Sequence, residues 1–434
     1  MLINGGTLRL LANNQIGDGV RVHMTSGAFS VNGRTETIYD LEVNGGTFTT
    51  GAGAVFTVTD PTWTGGTNTI STDSIANFGV LNISGGTNTV EGRAAGTLSG
   101  LLNIGSGGLN FSGAGSPNLT INSDATNQGR VVLSGNVSAT HTGGTSSITS
   151  GGAAAVKGTV DLNGSTRSFT VNDAASTLAV SAVITGGAGS GLTKTGEGKM
   201  TVSSDSTYVG TTTVTGATAS TGGKLEVTGT LSGTTTVAVN NSGTLLLNNT
   251  TGGAAGVNDI INSGNANLTV GGGSTTGTVK IGDTLQGNTQ SFNGTLTLSG
   301  NSILDMGALD TNRFNFNNAT VGSFGGTISI YNWSGLYYDV SETADHGTAT
   351  DDRIFMTNSL FGANTVINNI SFFSDAGTTL IGNGLEVSFG GGFQIVPVPE
   401  PATTALIGAV ALCALIGYRE RRRFTGIRSR LARK

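Results

Sequence analysis

Three Thr-x-Thr pairs stand at a fixed interval along the chain: Thr47/Thr49, Thr67/Thr69 and Thr87/Thr89, each 20 residues after the last. On a strand, both members of such a pair face the same way. Stacked one above another, the pairs would form a regular array of hydroxyls and methyls. A flat array of that kind can hold water in a lattice, which is the chemistry of an ice-binding face. Phe48 interrupts one pair, and Gly107-Gly108 ends the series. Thr is also favoured on strand surfaces for packing alone, so ordinary strand surface is the competing reading.

Other chemistry is sparse. The three histidines, His23, His141 and His346, are far apart and form no metal-spaced pair. His346 has acidic neighbours in Asp345, Asp351 and Asp352, a pattern that a solvated loop also gives. No Gly-x-Ser-x-Gly elbow precedes a helix. Gly271-Gly272-Gly273 lacks the following Lys-Ser/Thr and helix of a phosphate loop. The calcium-binding Gly-Gly-x-Gly-x-Asp nonapeptide is absent. Acidic residues from different repeats can meet in a fold of this kind, which leaves open a β-helical enzyme cutting polysaccharide with paired carboxylates. The expectation is nevertheless no catalytic residue, no metal, no cofactor and no nucleic-acid partner.

The C-terminus carries chemistry of another sort. Val398-Pro399-Glu400-Pro401 leads into the uncharged run Ala402–Tyr418, then Arg419, Arg421, Arg422 and Arg423. At ~1.5 Å per residue this run reaches roughly 25 Å as a helix, at the short end for crossing a bilayer. Flanking arginines can snorkel to make up the difference. Residues 419–434 hold eight of the chain's 21 basic residues and one of its 26 acidic ones, leaving the rest at net −12. Basic residues stay on the cytoplasmic side, so the acidic body should lie outside, tethered by its C-terminus.

This three-part tail resembles the PEP-CTERM sorting signal of Gram-negative, polysaccharide-producing bacteria, a signal also catalogued under an ice-binding C-terminal domain name. The resemblance implies an exosortase-type membrane enzyme as partner. It also implies a transient stay in the inner membrane through residues 402–418, then release or re-anchoring at the cell surface. Met1-Leu2-Ile3-Asn4-Gly5-Gly6 carries neither the basic region nor the apolar stretch of an export signal and reads as the middle of a repeat. The expectation is that the gene is truncated or its start misplaced.

Composition and repeats set the fold. The chain has 434 residues, 72 of them Gly and 11% of them charged. Such low charge, with short alternations of Val, Ile, Leu and Thr, predicts a folded chain, not a disordered one. The single cysteine, Cys413, allows no disulfide within the chain. A unit of apolar-x-Gly-Gly-Thr-x-Thr recurs at Val43–Thr49, Trp63–Thr69 and Ile83–Thr89, with an earlier copy at Ile3–Thr7. A 20-residue period suits one coil of an all-β parallel solenoid, with Gly and Asn at the corners and Asn amides bonding between coils. At that period the body would make roughly 20 coils, a rod of about 90–100 Å. A β-sandwich is the rival, and hairpins would mark it.

Gly191-Leu192-Thr193-Lys194-Thr195-Gly196-Glu197-Gly198-Lys199-Met200-Thr201-Val202, running on to Tyr208-Val209-Gly210-Thr211-Thr212-Thr213-Val214, is similar to the autotransporter-associated β-strand repeat. That likeness implies a β-helical passenger-like region without an active site. Met200 and Val202 replace two Leu of the pattern, and Ser204 and Ser206 stand where Gly and Asn are usual. A full autotransporter needs a C-terminal barrel, and the apolar run and arginines occupy that place instead. Residues 328–396 hold three of the six tyrosines and one tryptophan and suit an aromatic cap over the end of a solenoid. The sequence thus divides into solenoid repeats (1–190), solenoid with the autotransporter-like repeat (191–327), cap (328–396) and sorting tail (397–434). It reads as a non-catalytic, exported surface or exopolysaccharide-matrix protein. A polysaccharide-active enzyme and an ice-binding solenoid are the alternatives.

Overall fold

The computed structural model describes residues 1–399 except 93–98, 125–126, 153–155, 219–220, 249–258, 262–265, 273–274, 283–287, 299, 310, 317–319, 325, 336–350, 360–365 and 390. Outside the described residues lie His346, Glu400, Pro401, the apolar run 402–418 and Arg419, Arg421, Arg422 and Arg423. Among the described residues no helix is long and apolar enough to cross a membrane.

The described chain is all β, and its strands join one continuous sheet. Pairing is parallel from Leu2–Arg9 onward, each strand bonding the equivalent strand one coil later, as a β-solenoid requires. Over residues 35–90 the offset is 20: Thr35 pairs with Val55 and Val55 with Ile75, while Thr47 pairs with Thr67 and Thr67 with Thr87.

The fixed 20-residue coil does not hold beyond that stretch. Following one outward column, the step is 28 residues from Asn82 to Asn110, 28 to Ser138, 32 to Thr170 and 25 to Thr195. The connections between strands grow. Four residues separate Thr67–Ile70 from Ile75–Ile83, but ten separate Thr87–Val90 from Leu101–Phe111. Lengthening a connection at the rim costs little. The stack therefore has fewer coils, and a shorter axis, than a constant 20 residues would give.

Alternation decides what lies inside. Met24, Val43, Trp63, Ile83, Phe111, Ala139 and Val171 form one inward column, each paired with the next and all buried. Neighbouring columns lock through ring contacts. The centroids of Phe48 and Phe56 are 5.4 Å apart, and Trp63 meets Phe78 edge-on at 5.7 Å. In the three copies from Val43 onward, each Gly-Gly turns a corner for two separate reasons. The second glycine has positive φ (81°, 70° and 80° at Gly46, Gly66 and Gly86). The first lies against the previous coil, where a Cβ on Gly65 would stand 2.3 Å from the Asn44 carbonyl oxygen.

The C-terminal end changes direction. Val366–Phe373 still pairs in parallel with Ile328–Tyr331, but Leu380–Phe389 and Gly392–Pro399 then fold back as antiparallel strands. Trp333 packs edge-on against Phe372 at 4.8 Å, and Tyr331 against Phe373 at 5.4 Å. An antiparallel turn-back leaves the last coil without an open parallel edge to extend.

Candidate functional site

The Thr pairs meet in space. Thr47, Thr67 and Thr87 share one outward column and are exposed; Thr49, Thr69 and Thr89 form the next and are half-buried. Register carries the second column further in both directions: Ser30 pairs with Thr49, Thr89 with Thr120 and Thr120 with Thr149. Six rungs of hydroxyl residues result. Gly107-Gly108 does not end the series, because Gly108 pairs with Val80 on a different part of the coil. The hydroxyls also bond one another, with Thr49 Oγ1 3.0 Å from Ser71 Oγ and Thr120 Oγ1 3.1 Å from Thr149 Oγ1.

Behind this face two amides occupy inward positions. Asn68 and Asn88 follow Phe29 and Phe48 in one inward column, and both are fully buried. Asn68 Nδ2 donates to Asn88 Oδ1 at 2.8 Å and to the Gly65 carbonyl at 3.2 Å. Asn88 Nδ2 donates to the carbonyls of Gly85 at 3.0 Å and Asn118 at 2.9 Å. The amides tie the corner of one coil to the strand of the next.

The titratable groups fall into two settings. His141 is buried and bonded at both ring nitrogens, to the Gly143 carbonyl at 2.8 Å and Ser146 Oγ at 3.0 Å, which fits a corner-bracing role. Asp40 and Asp60 face outward on adjacent coils in register. Partial burial, reinforced by Asp60, raises the Asp40 carboxyl above its ordinary range, with Arg21 opposing. Among the described residues no group of three or more His, Cys, Asp or Glu is placed to hold a metal ion.

In the 191–214 segment, Leu192, Lys194, Met200, Val202 and Val214 all point inward. Lys194 takes a place in the inward column Val137, Phe169, Lys194, Val214, Val239. It is fully buried, and its ammonium donates to the Thr195 carbonyl at 2.6 Å and the Gly196 carbonyl at 3.0 Å. Burial lowers its pKa to about 8. Tyr208 is buried alongside a hydroxyl chain, its OH 2.6 Å from Thr212 Oγ1, which is 2.9 Å from Thr234 Oγ1.

The sorting motif begins inside the folded body. Val398 pairs with Asn383 and Pro399 with Gly382 in the last antiparallel strand. The family model of the PEP-CTERM protein-sorting motif matches residues 397–423, 27 of the 434. No curated protein and no solved structure matches the chain. The tail match points to an exported protein handled by an exosortase-type membrane enzyme.

Proposed function

We propose that this chain is a non-catalytic structural component of the cell surface or exopolysaccharide matrix, delivered by exosortase processing of its tail. The observation that carries this reading is a sorting motif joined with no spacer to an uninterrupted strand ladder. The ladder supplies a stiff, repetitive surface. The motif supplies a route to the outside. Because Val398 and Pro399 are paired in the last strand, the processing enzyme would meet its target at the rim of the folded body, close to the membrane.

Exported protein should lack Ala402–Tyr418 and the basic block, with a new C-terminus near Pro399–Pro401. Mass spectrometry of the exported form checks this. A mature C-terminus at Lys434 would make the tail a plain anchor and reject processing.

A second reading is favoured by the six-rung hydroxyl face: ordered water, as at an ice surface. Rungs at ~4.8 Å and alternate residues about 7 Å apart make a two-dimensional lattice of hydroxyls and methyls. No charged residue interrupts 43–50, 63–71 or 83–90. On this reading the purified protein slows ice recrystallisation, and Thr67→Lys with Thr87→Lys abolishes the effect. Unmodified protein that leaves ice growth unchanged rejects it.

A further inference from the structure

We propose that the N-terminal coils carry a binding groove for a neutral polysaccharide chain lying parallel to the solenoid axis. The proposal deepens the matrix reading, on which it rests for bringing such a polymer within reach.

A groove of about 330 Å³ runs across the outward bend of four successive coils. One wall is a register-matched column, Thr57, Asn77 and Asn103. Ser134 lines it on the coil after Asn103, beside the strand that pairs Leu133 with Ile104. The floor is backbone at Gly79 and Gly105. A Cβ there would stand 2.5 Å from the Thr59 carbonyl oxygen and 2.8 Å from the Gly79 carbonyl oxygen respectively. Adjacent coils approach too closely for side chains, so the concavity is a fixed feature of the stack.

The wall has the chemistry of hydroxyl recognition. Asn103 Nδ2 donates to Asn77 Oδ1 at 2.8 Å, and Asn77 Nδ2 reaches Thr57 Oγ1 at 3.5 Å. The ladder holds the amides rigid while using one of the two N–H groups of each, so a ligand pays little to order them. Past the bend a second ladder repeats the pattern, with Asn110 Nδ2 to Asn82 Oδ1 at 3.0 Å and Ser138 Oγ to Asn110 Oδ1 at 2.7 Å.

Charge selects the polymer. No residue lining the groove is charged, whereas the chain up to residue 418 is net −12. A polyanion finds no cation here and meets repulsion from the body; a polycation finds no carboxylate in the groove. Scale agrees with a glycan. Rungs at ~4.8 Å are close to the length of one sugar unit in an extended chain, and four coils span about 14 Å, room for about three units. The flat Thr face offers hydroxyls but no concavity in which a chain loses water on several sides.

The test is titration of the full-length protein, in a non-glycosidic detergent, with neutral α- and β-glucan hexamers and with a hexuronate oligomer as the anionic control. At least one neutral hexamer should bind and the hexuronate should not. Asn77→Ala with Asn103→Ala should weaken binding about tenfold or more. Thr59→Tyr, which fills the exposed rim without touching the amide ladder, should do the same in a variant of unchanged thermal midpoint. No binding of any neutral hexamer, preference for the hexuronate, or full affinity in Thr59→Tyr overturns the proposal. Failure of the sorting reading shows in the C-terminal mass of the exported protein; failure of the groove shows only in this titration.

Discussion

Asn88→Ala is expected to lower the unfolding free energy by about 3–5 kcal/mol. The side chain is fully buried and makes three hydrogen bonds: two donated by Nδ2, to the Gly85 and Asn118 carbonyls, and one accepted by Oδ1 from Asn68. Alanine removes all three, taking a donor from each of two carbonyls and the acceptor from one Asn68 amide N–H in the interior. Each stranded group costs about 1–3 kcal/mol, more than the net worth of the bond that satisfied it. A methyl also leaves a void between coils. Asn68→Ala should cost less, because the Asn68 Oδ1 is already buried without a partner and fewer groups lose a bond. Urea unfolding gives both values; an unchanged slope with a lower midpoint marks a loss of stability rather than a change of state. An Asn88→Ala loss no larger than that of Thr87→Ala, on the exposed face beside it, would remove the inner amides from the account of what holds these coils in register.

Legibility followed the spacing. Thr47, Thr67 and Thr87 could be placed on one face from the sequence because connections of three to five residues keep their period at 20. Thr120 and Thr149 stand on the same face but could not be assigned to it. The ten-residue connection after Val90 takes the offset from 20 to 26, and a bulge beside Val80 and the six-residue connection after Phe111 take it on to 31; residues 31 apart share no visible pattern. The same shift hides the groove, whose wall depends on Asn77 meeting Asn103 across 26 residues. Corners were legible through Gly-Gly-Thr, since only glycine fits both the positive φ and the close approach. Asn bonding between coils was legible in kind. Its strongest instance, Asn68–Asn88, was not, because alternation places those residues on the side where apolar residues are expected. Lys194 poses the same conflict. Alternation with Leu192 puts it inside, and its charge argues for the outside; the backbone carbonyls of Thr195 and Gly196 resolve the matter in favour of burial. The sorting tail was legible as a motif since its three parts are contiguous. Its pairing through Val398 and Pro399 into the last strand was not, since nothing local marks a Pro-containing motif as a strand end.

Stability should rise with pH between about 8 and 10, by up to about 3 kcal/mol, through Lys194 alone. Burial lowers its folded pKa from 10.5 to about 8. Over that window the unfolded chain holds a proton that the folded chain has released, so raising the pH favours the folded state. Below about pH 8 both states are protonated, and the fold carries an ammonium in a column otherwise filled by Val137, Phe169, Val214 and Val239. The two carbonyl bonds offset part of its desolvation and leave the rest as the depressed pKa. Tyr208 works in the opposite sense higher up: burial raises its phenol above the ordinary 10.0, so the fold loses stability once the unfolded phenol ionises. The rise should therefore be read from denaturation curves taken between pH 8 and 9.5. Lys194→Met keeps the length of the side chain and removes the titration, so its stability should be flat over the same range and exceed that of the unmodified protein at pH 7. A rise of equal slope in Lys194→Met would assign the effect to other groups. A loss of stability in that variant at pH 7 would mean that the bonds to Thr195 and Gly196 outweigh the burial of the charge.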